Sequence, residues 1–266
     1  MAGGPQKVFS IDEDEVLDLK LSSKVVLVTG SSSGLGLAIA RTLHEEGCNV
    51  IINGRSPSAL AAALASFEGR VTAVVGDVTS NEDCQNIAKE IESKFSKLDI
   101  LICNVGSGSS VPPGEEDPAE WGRMFGLNFF SATNMIEASK RLFSDGGSIV
   151  CVSSICGLEV LGAPLTYSSA KAALNHYVKG IARPLAEQNI RVNAIAPGNL
   201  LFEGSVWEKK IKENETQVKS MLEREVSLSR LGNLEEIAKF VTFLSSPVSS
   251  FSTGQIYVVD GGQVRS

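Results

Sequence analysis

Seven short runs of branched apolar residues, most of them followed by a stretch of helical periodicity, decide what this chain can fold into. They are KVVLVT at 24–29, NVIIN at 49–53, VTAVVG at 71–76, LDILIC at 98–103, GSIVCVSS at 147–154, IRVNAIAPG at 190–198 and QIYVVDGG at 255–262. None alternates cleanly between apolar and polar residues, so each reads as a strand buried on both faces. Helical patterns fill the intervals at 35–47, 57–67, 81–95, much of 119–142, 167–188 and 234–244. Alternating strands and helices, joined by right-handed crossovers, predict a seven-stranded parallel sheet flanked by helices on both faces, a doubly wound α/β domain. Its ligand belongs at the carboxyl ends of the strands. Residues 22–266 read as one domain and 1–21 as an acidic N-terminal extension outside it.

Composition narrows the function. With 43% hydrophobic and 21% charged residues among 266, the chain can build a sizeable core, which excludes wholesale disorder. A net charge of −7 repels nucleic-acid phosphate and anionic lipid, so neither nucleic acid nor membrane is an expected partner. The five cysteines are odd in number and form no CxxC, and there are two histidines, which argues against a disulfide framework or a metal site. Cys103 and Cys151, on strands expected to be neighbours, read as reduced core thiols, and Cys156 as a small buried hydrophobe. Free thiols suit a reducing compartment. No apolar run reaches the ~18–20 residues of a membrane helix, and the N-terminus lacks the apolar stretch of a signal peptide, so the expected location is cytoplasmic.

The first strand runs into Thr29-Gly30-Ser31-Ser32-Ser33-Gly34-Leu35-Gly36, where a helix starts. Glycines at 30, 34 and 36 let the backbone turn tightly and approach a pyrophosphate, whose charge rests on free N–H groups at the helix N-terminus. Ser32 and Ser33 offer further donors, and Leu35 opens the helix. About 20 residues on, where an NAD-binding chain usually carries an acid for the ribose hydroxyls, the sequence reads Ile52-Asn53-Gly54-Arg55-Ser56. A carboxylate would repel a 2′-phosphate and a guanidinium would bind it, so Arg55 favours NADP(H), with NAD(H) still open. Asp77 and Val78 end the third strand, where a carboxylate can accept from an adenine amino group beside an apolar neighbour. Asn104-Val105-Gly106 ends the fourth, where the bare backbone of Gly106 would let a ribose approach.

Tyr167 and Lys171 stand at i and i+4 on one helix face, within neighbour distance. An ammonium beside a phenol favours the phenolate, which makes the pair a proton donor and acceptor. Ser154, thirteen residues earlier at a strand end, can hydrogen-bond a carbonyl oxygen beside the tyrosine. Ser153 competes for that role, and strand alternation lets only one of the two face the site. His44 and His176 read as packing or surface residues, and the mixed charges between 208 and 225 as a solvated helix.

Taken together, these motifs resemble the short-chain dehydrogenase/reductase family, in its single-domain branch of 3-oxoacyl-carrier-protein reductases and sugar or polyol dehydrogenases. The resemblance runs from about Leu21 to Gly262. It includes the glycine turn, Asp77-Val78, a partial Cys103-Asn104-Val105-Gly106 match, Asn128, Ser154, Tyr167, Lys171, Pro197-Gly198, Arg230-Leu231-Gly232 and Asp260-Gly261-Gly262. It implies a Rossmann-type domain and an oxidoreductase that transfers hydride between nicotinamide and a small-molecule carbonyl or alcohol. A 3-oxoacyl group, a keto-sugar and a cyclic ketone are the substrate classes it leaves open. It implies catalytic roles for Asn128, Ser154, Tyr167 and Lys171, cofactor contacts along the strand ends including Tyr167, Lys171, Pro197 and Gly198, and a homo-oligomer, a tetramer or dimer. Two positions depart from the family pattern. Val105 replaces its usual alanine, and Phe202 stands where threonine often bonds the carboxamide. A non-catalytic dinucleotide sensor or scaffold on the same fold is the competing reading.

Overall fold

The computed structural model describes residues 17–144 and 146–265. Most of the predicted extension lies outside the described residues. Where its end is described it joins the fold: Leu21 is buried, and Leu19 packs against the same core.

The strands are β1 (Val25–Val28), β2 (Asn49–Gly54), β3 (Val71–Val75), β4 (Ile100–Cys103), β5 (Gly147–Val152), β6 (Ile190–Pro197) and β7 (Ile256–Val259). They form one parallel sheet in the order β3-β2-β1-β4-β5-β6-β7. The order reverses between β1 and β4, so the chain leaves those two strands toward opposite faces and a crevice opens at their carboxyl ends. The helices are α1 (Gly34–Glu45), α2 (Pro57–Leu64), α3 (Asn81–Phe95), α4 (Pro118–Phe125), α5 (Ser131–Ser139), α6 (Leu165–Ala186), α7 (Val206–Glu225) and α8 (Leu234–Ser245).

Pleating explains the unbroken apolar runs. Val25 and Leu27 of β1 join one core with Ile87 and Ile91 of α3, Met135 of α5 and Leu174 and Val178 of α6. Val26 and Val28 join the other, with Ile39 and Leu43 of α1, Leu60 of α2 and Ile237 and Val241 of α8. Each strand thus feeds two cores with alternate residues. At ~1.5–3 kcal/mol per fully buried aliphatic side chain, these two layers are the main favourable term in folding. A third, small cluster of Val218, Leu222 and Val226, flanked by Trp207, Ile211 and Leu231, centres on α7.

The helical pattern read over 119–142 is not one helix. It divides into α4, a π-helical turn at Gly126–Phe130, α5 and a short 3₁₀ turn at Lys140–Leu142. No proline or glycine pair marks these breaks. The fourth strand is also shorter than expected, starting at Ile100, and Asp99 just before it ties the sheet's other end. Its carboxylate accepts from Val25 N at 2.9 Å and pairs with Lys24 and Lys97. Cys103 and Cys151 lie in register on β4 and β5, both buried and free. His44 bonds the Glu68 carbonyl and meets the Phe67 ring edge-on, and His176 is exposed.

Candidate active site

At the carboxyl ends of the strands lies a cleft of about 690 Å³. Every predicted site residue except Gly34 lines it. Gly34 shapes the turn from behind, with φ +56°.

The glycine turn is shaped by close contacts. A Cβ at Gly36 would lie 2.5 Å from both the Gly30 carbonyl oxygen and the Asn104 amide nitrogen. Gly30 has φ +62°, and a Cβ there would meet Val105 Cγ2 at 2.8 Å. Thus Val105, the departure from the family alanine, packs against the turn itself. The Asn104 side chain donates to the carbonyls of Thr29 and Gly30 at 3.0 and 3.2 Å, and the Thr29 hydroxyl accepts from Asn104 N at 3.0 Å. Asn53, fully buried, donates to the Val74 and Gly76 carbonyls, and its backbone N–H donates to Ser31 Oγ. Thr29, Ser31 and Asn53 are therefore positioning residues that sequence reasoning passed over. Their residue types carry no signal for the role, which comes from where their hydroxyl and amide groups turn.

The start of α1 is open. Its N-cap, Ser33, makes no side-chain capping bond, and the first turn holds no acid. Unsatisfied N–H groups and the positive end of the helix dipole face the cleft side of the turn. That cradle suits the pyrophosphate of a dinucleotide, and no acidic side chain stands among the turn residues 30–36 to repel it. At the far rim Arg55 pairs with Asp77 at 3.5 Å, its side chain 70% exposed. Burial would raise the Asp77 carboxyl, but two hydrogen bonds from Thr79 and the Arg55 guanidinium outweigh it and hold the group below the usual carboxylate range.

At the other end three elements converge. The π-helical turn delivers Asn128, which is buried and fully bonded: Oδ1 accepts from Ser107 N at 2.9 Å, and Nδ2 donates to the carbonyls of Ser107 and Met124. Strand β5 ends at Val152 and delivers Ser153 and Ser154. The Ser154 hydroxyl accepts from Cys156 N at 3.1 Å and acts on the Tyr167 phenol. Ser153 turns the other way and donates to Asn175 Oδ1 at 2.6 Å. Helix α6 delivers Tyr167 and Lys171. Gly106 is bare because Asn128 and Lys171 crowd it: a Cβ there would sit 2.8 Å from Asn128 Oδ1 and 3.1 Å from Lys171 Nζ.

The electrostatics differ from the sequence expectation. Burial pushes the Tyr167 phenol up to about 12, the Ser154 hydroxyl opposing it. Lys171 does not govern that value. Its Nζ donates to the Val152 carbonyl at 2.7 Å and lies 6.0 Å from the centre of the tyrosine ring. Burial also pushes Lys171 down, to about 8. Phe202 packs against the glycine turn, with its ring 3.7 Å from where a Gly34 Cβ would lie. Arg123, which sequence reasoning missed, reaches the cleft from α4 but is bound to Glu120 and to the Ser109 carbonyl.

A parallel sheet in this order, with a glycine turn at its switch point, defines a Rossmann-type α/β protein. A family model described as enoyl-(acyl carrier protein) reductase matches residues 30–263. The rat protein named dehydrogenase/reductase SDR family member 4 is 34% identical over 253 residues, spanning 91% of this chain and 88% of its own. Among solved structures, L-sorbose reductase from Gluconobacter frateurii, complexed with NADPH and L-sorbose, superposes with a TM-score of 0.88. It is 31% identical and covers 94% of this chain and 100% of its own. A 7α-hydroxysteroid dehydrogenase complexed with NADH and 7-oxo-glycochenodeoxycholic acid gives 0.85 at 30% identity, covering 94% and 97%. The chain belongs to the short-chain dehydrogenase/reductase family of oxidoreductases, which act between alcohol and carbonyl with a nicotinamide cofactor.

Proposed function

We propose that this chain is an NADP(H)-dependent reductase of a small-molecule carbonyl, or dehydrogenase of the matching secondary alcohol. The observation that carries the reading is the meeting of Ser154, Tyr167 and Lys171 in one cleft whose far rim holds Arg55 and no acid on β2. The nicotinamide, when bound, supplies or accepts the hydride. The chain's own residues do the rest. Tyr167 gives its proton to the carbonyl oxygen in reduction and takes it back in oxidation. Ser154 donates to the same oxygen and orients it. Lys171, anchored on Val152, holds ribose hydroxyls and refills the phenol, and Asn128 with the Ser107 backbone shapes the proton's way out.

Arg55 supports the cofactor choice by magnitude. An exposed ion pair such as Arg55–Asp77 is worth ~0–1 kcal/mol. A charge-assisted bond to a phosphate is worth ~1.5–3 kcal/mol, so a 2′-phosphate outcompetes Asp77 for the guanidinium. The expected result is tighter binding of NADPH than NADH by fluorescence titration, with Arg55→Ala weakening NADPH roughly ten- to hundred-fold and NADH little. Equal affinities in the unaltered protein would remove the NADP(H) assignment. Binding of the dinucleotide without turnover on any ketone, keto-sugar or 3-oxoacyl thioester would favour the sensor. The five cysteines are free, and we place the enzyme in a reducing, cytoplasmic compartment on that ground. No helix among the described residues is long and apolar enough to cross a membrane.

A further inference from the structure

Helix α6 presents Tyr167, Lys171 and Asn175 one turn apart, and they face Val152, the last residue of β5, and the two residues that follow it. Lys171 Nζ holds the Val152 carbonyl at 2.7 Å, Asn175 Oδ1 holds the Ser153 hydroxyl at 2.6 Å, and Ser154 and Tyr167 line the same cleft. The Asn175 amide also donates to the Gly157 carbonyl at 3.1 Å. Asn175 therefore grips both ends of the Ser153–Gly157 segment that carries Ser154. The segment sits this close to the helix because Gly157 has no side chain to hold it off: a Cβ there would lie 2.7 Å from the Lys171 carbonyl carbon and 2.9 Å from Ala172 N. Asn175 is 5% exposed and Ser153 3%, and the Asn175 amide does not line the cleft. A buried primary amide with its acceptor and one donor both used costs free energy to desolvate, and an apolar residue in its place would leave the Ser153 hydroxyl and the Gly157 carbonyl without these partners.

We infer that Asn175 is a positioning residue: through Ser153 and Gly157 it sets the distance between the Ser154 hydroxyl and the Tyr167 phenol. This rests on the reading of Ser154 and Tyr167 as the groups that handle the carbonyl oxygen. A displacement on the order of an ångström between such groups costs up to ~10²-fold in rate while leaving distant contacts alone. The dinucleotide cradle at Gly30–Gly36 and Arg55 lies just past the ends of β1 and β2 and at the start of α1, outside the grip of Asn175.

The test is Asn175→Ala and Ser153→Ala, each assayed for turnover, Michaelis constant, NADPH affinity and amide hydrogen exchange over residues 152–158. For Asn175→Ala we expect kcat to fall about ten-fold or more, with NADPH affinity within about two-fold. Exchange at the Cys156 and Gly157 amides should quicken while α6 stays protected. Ser153→Ala, which loses one of the two bonds, should lose kcat about three-fold, and the double variant less than the product of the two losses. Faster exchange with unchanged kcat would make the grip purely structural and overturn the inference. So would unchanged exchange. If Asn175→Ala does not fold, Ser153→Ala decides alone, and an unchanged kcat there refutes the inference. Should the unaltered protein turn over no carbonyl at all, the proposed function fails instead, while the exchange data still report on the grip.

Discussion

Tyr167 and Lys171 are both pushed toward their neutral forms by the same cause, burial, and this sets opposite demands on them. A phenol held up at about 12 keeps its proton at neutral pH, so the group is present in its donor form. Tyr167→Phe keeps the ring and removes that proton. We expect at least a ~10²-fold loss of turnover with dinucleotide affinity nearly unchanged, read from steady-state kinetics beside a fluorescence titration. Lys171 titrates at about 8 when folded, below its ordinary 10.5, so between those values the unfolded chain binds more protons than the folded one. Stability contributed by this position therefore falls as pH drops from about 10.5 to 8 and stays low below that. Lys171→Met should be inactive. Its stability advantage over the unaltered protein should grow as pH is lowered through that window, as urea midpoints at several pH values would show. A constant difference across the window would mean the burial cost is small. At this scale the sequence was most informative where chemistry is carried by residue type, as at Tyr167 and Lys171. It was least informative where an amide's direction matters: nothing in the letters reveals that Asn104 turns its amide back onto Thr29 and Gly30, or that Asn175 receives the Ser153 hydroxyl.

At the scale of elements, α3 was legible to the residue because both ends are signalled. Ser80 caps the first turn through its hydroxyl, and Ser96 ends the helix in a left-handed conformation. The region 119–142 was not, because a π-helical turn widens a helix without needing a breaker residue, and its periodicity passes for α-helix. That turn has a consequence for the site, since Asn128 sits inside it. The joint between β1 and α1 yields a sharper prediction. In Gly36→Ala the new methyl would meet the Gly30 carbonyl and the Asn104 amide, one of them backbone that cannot move without opening the turn. We expect ~1–3 kcal/mol of destabilisation from overpacking and a marked loss of affinity for either dinucleotide. A variant with native melting temperature and native affinity would show the turn to be more pliant than these distances allow.

Across the whole molecule, the two buried layers are complete, so what remains open on the surface bears on assembly. On α6 the Ala172 and His176 side chains are exposed, with Ala173 and Tyr177 half-buried beside them. Phe129 meets Tyr177 edge-on at 5.9 Å, and its neighbour Phe130 is 47% exposed. Two alanines on a face bordered by an uncovered phenylalanine leave room for close helix packing against another copy. With the family resemblance this supports a homo-oligomer, a tetramer or dimer, joined through α6 and α5. Sedimentation at micromolar concentration should give such a species, and Phe130→Asp should shift it toward smaller ones; a monomeric unaltered protein would end the idea.

The small cluster around α7 has an implication beyond its own stability. Val218, Leu222 and Val226 pack with Trp207, Ile211 and Leu231, residues close to them in sequence, and separately from both sheet cores. A backbone bridge from Leu200 to Gly232 closes the base of this excursion. The chain thus leaves the sheet after Gly198 and returns before α8 carrying a lobe with its own apolar centre. Such a lobe can be re-lined at its own apolar centre with Ser154, Tyr167 and Lys171 left in place, whereas a change at Phe202, where its first residues lie against the glycine turn, would reach the dinucleotide cradle as well.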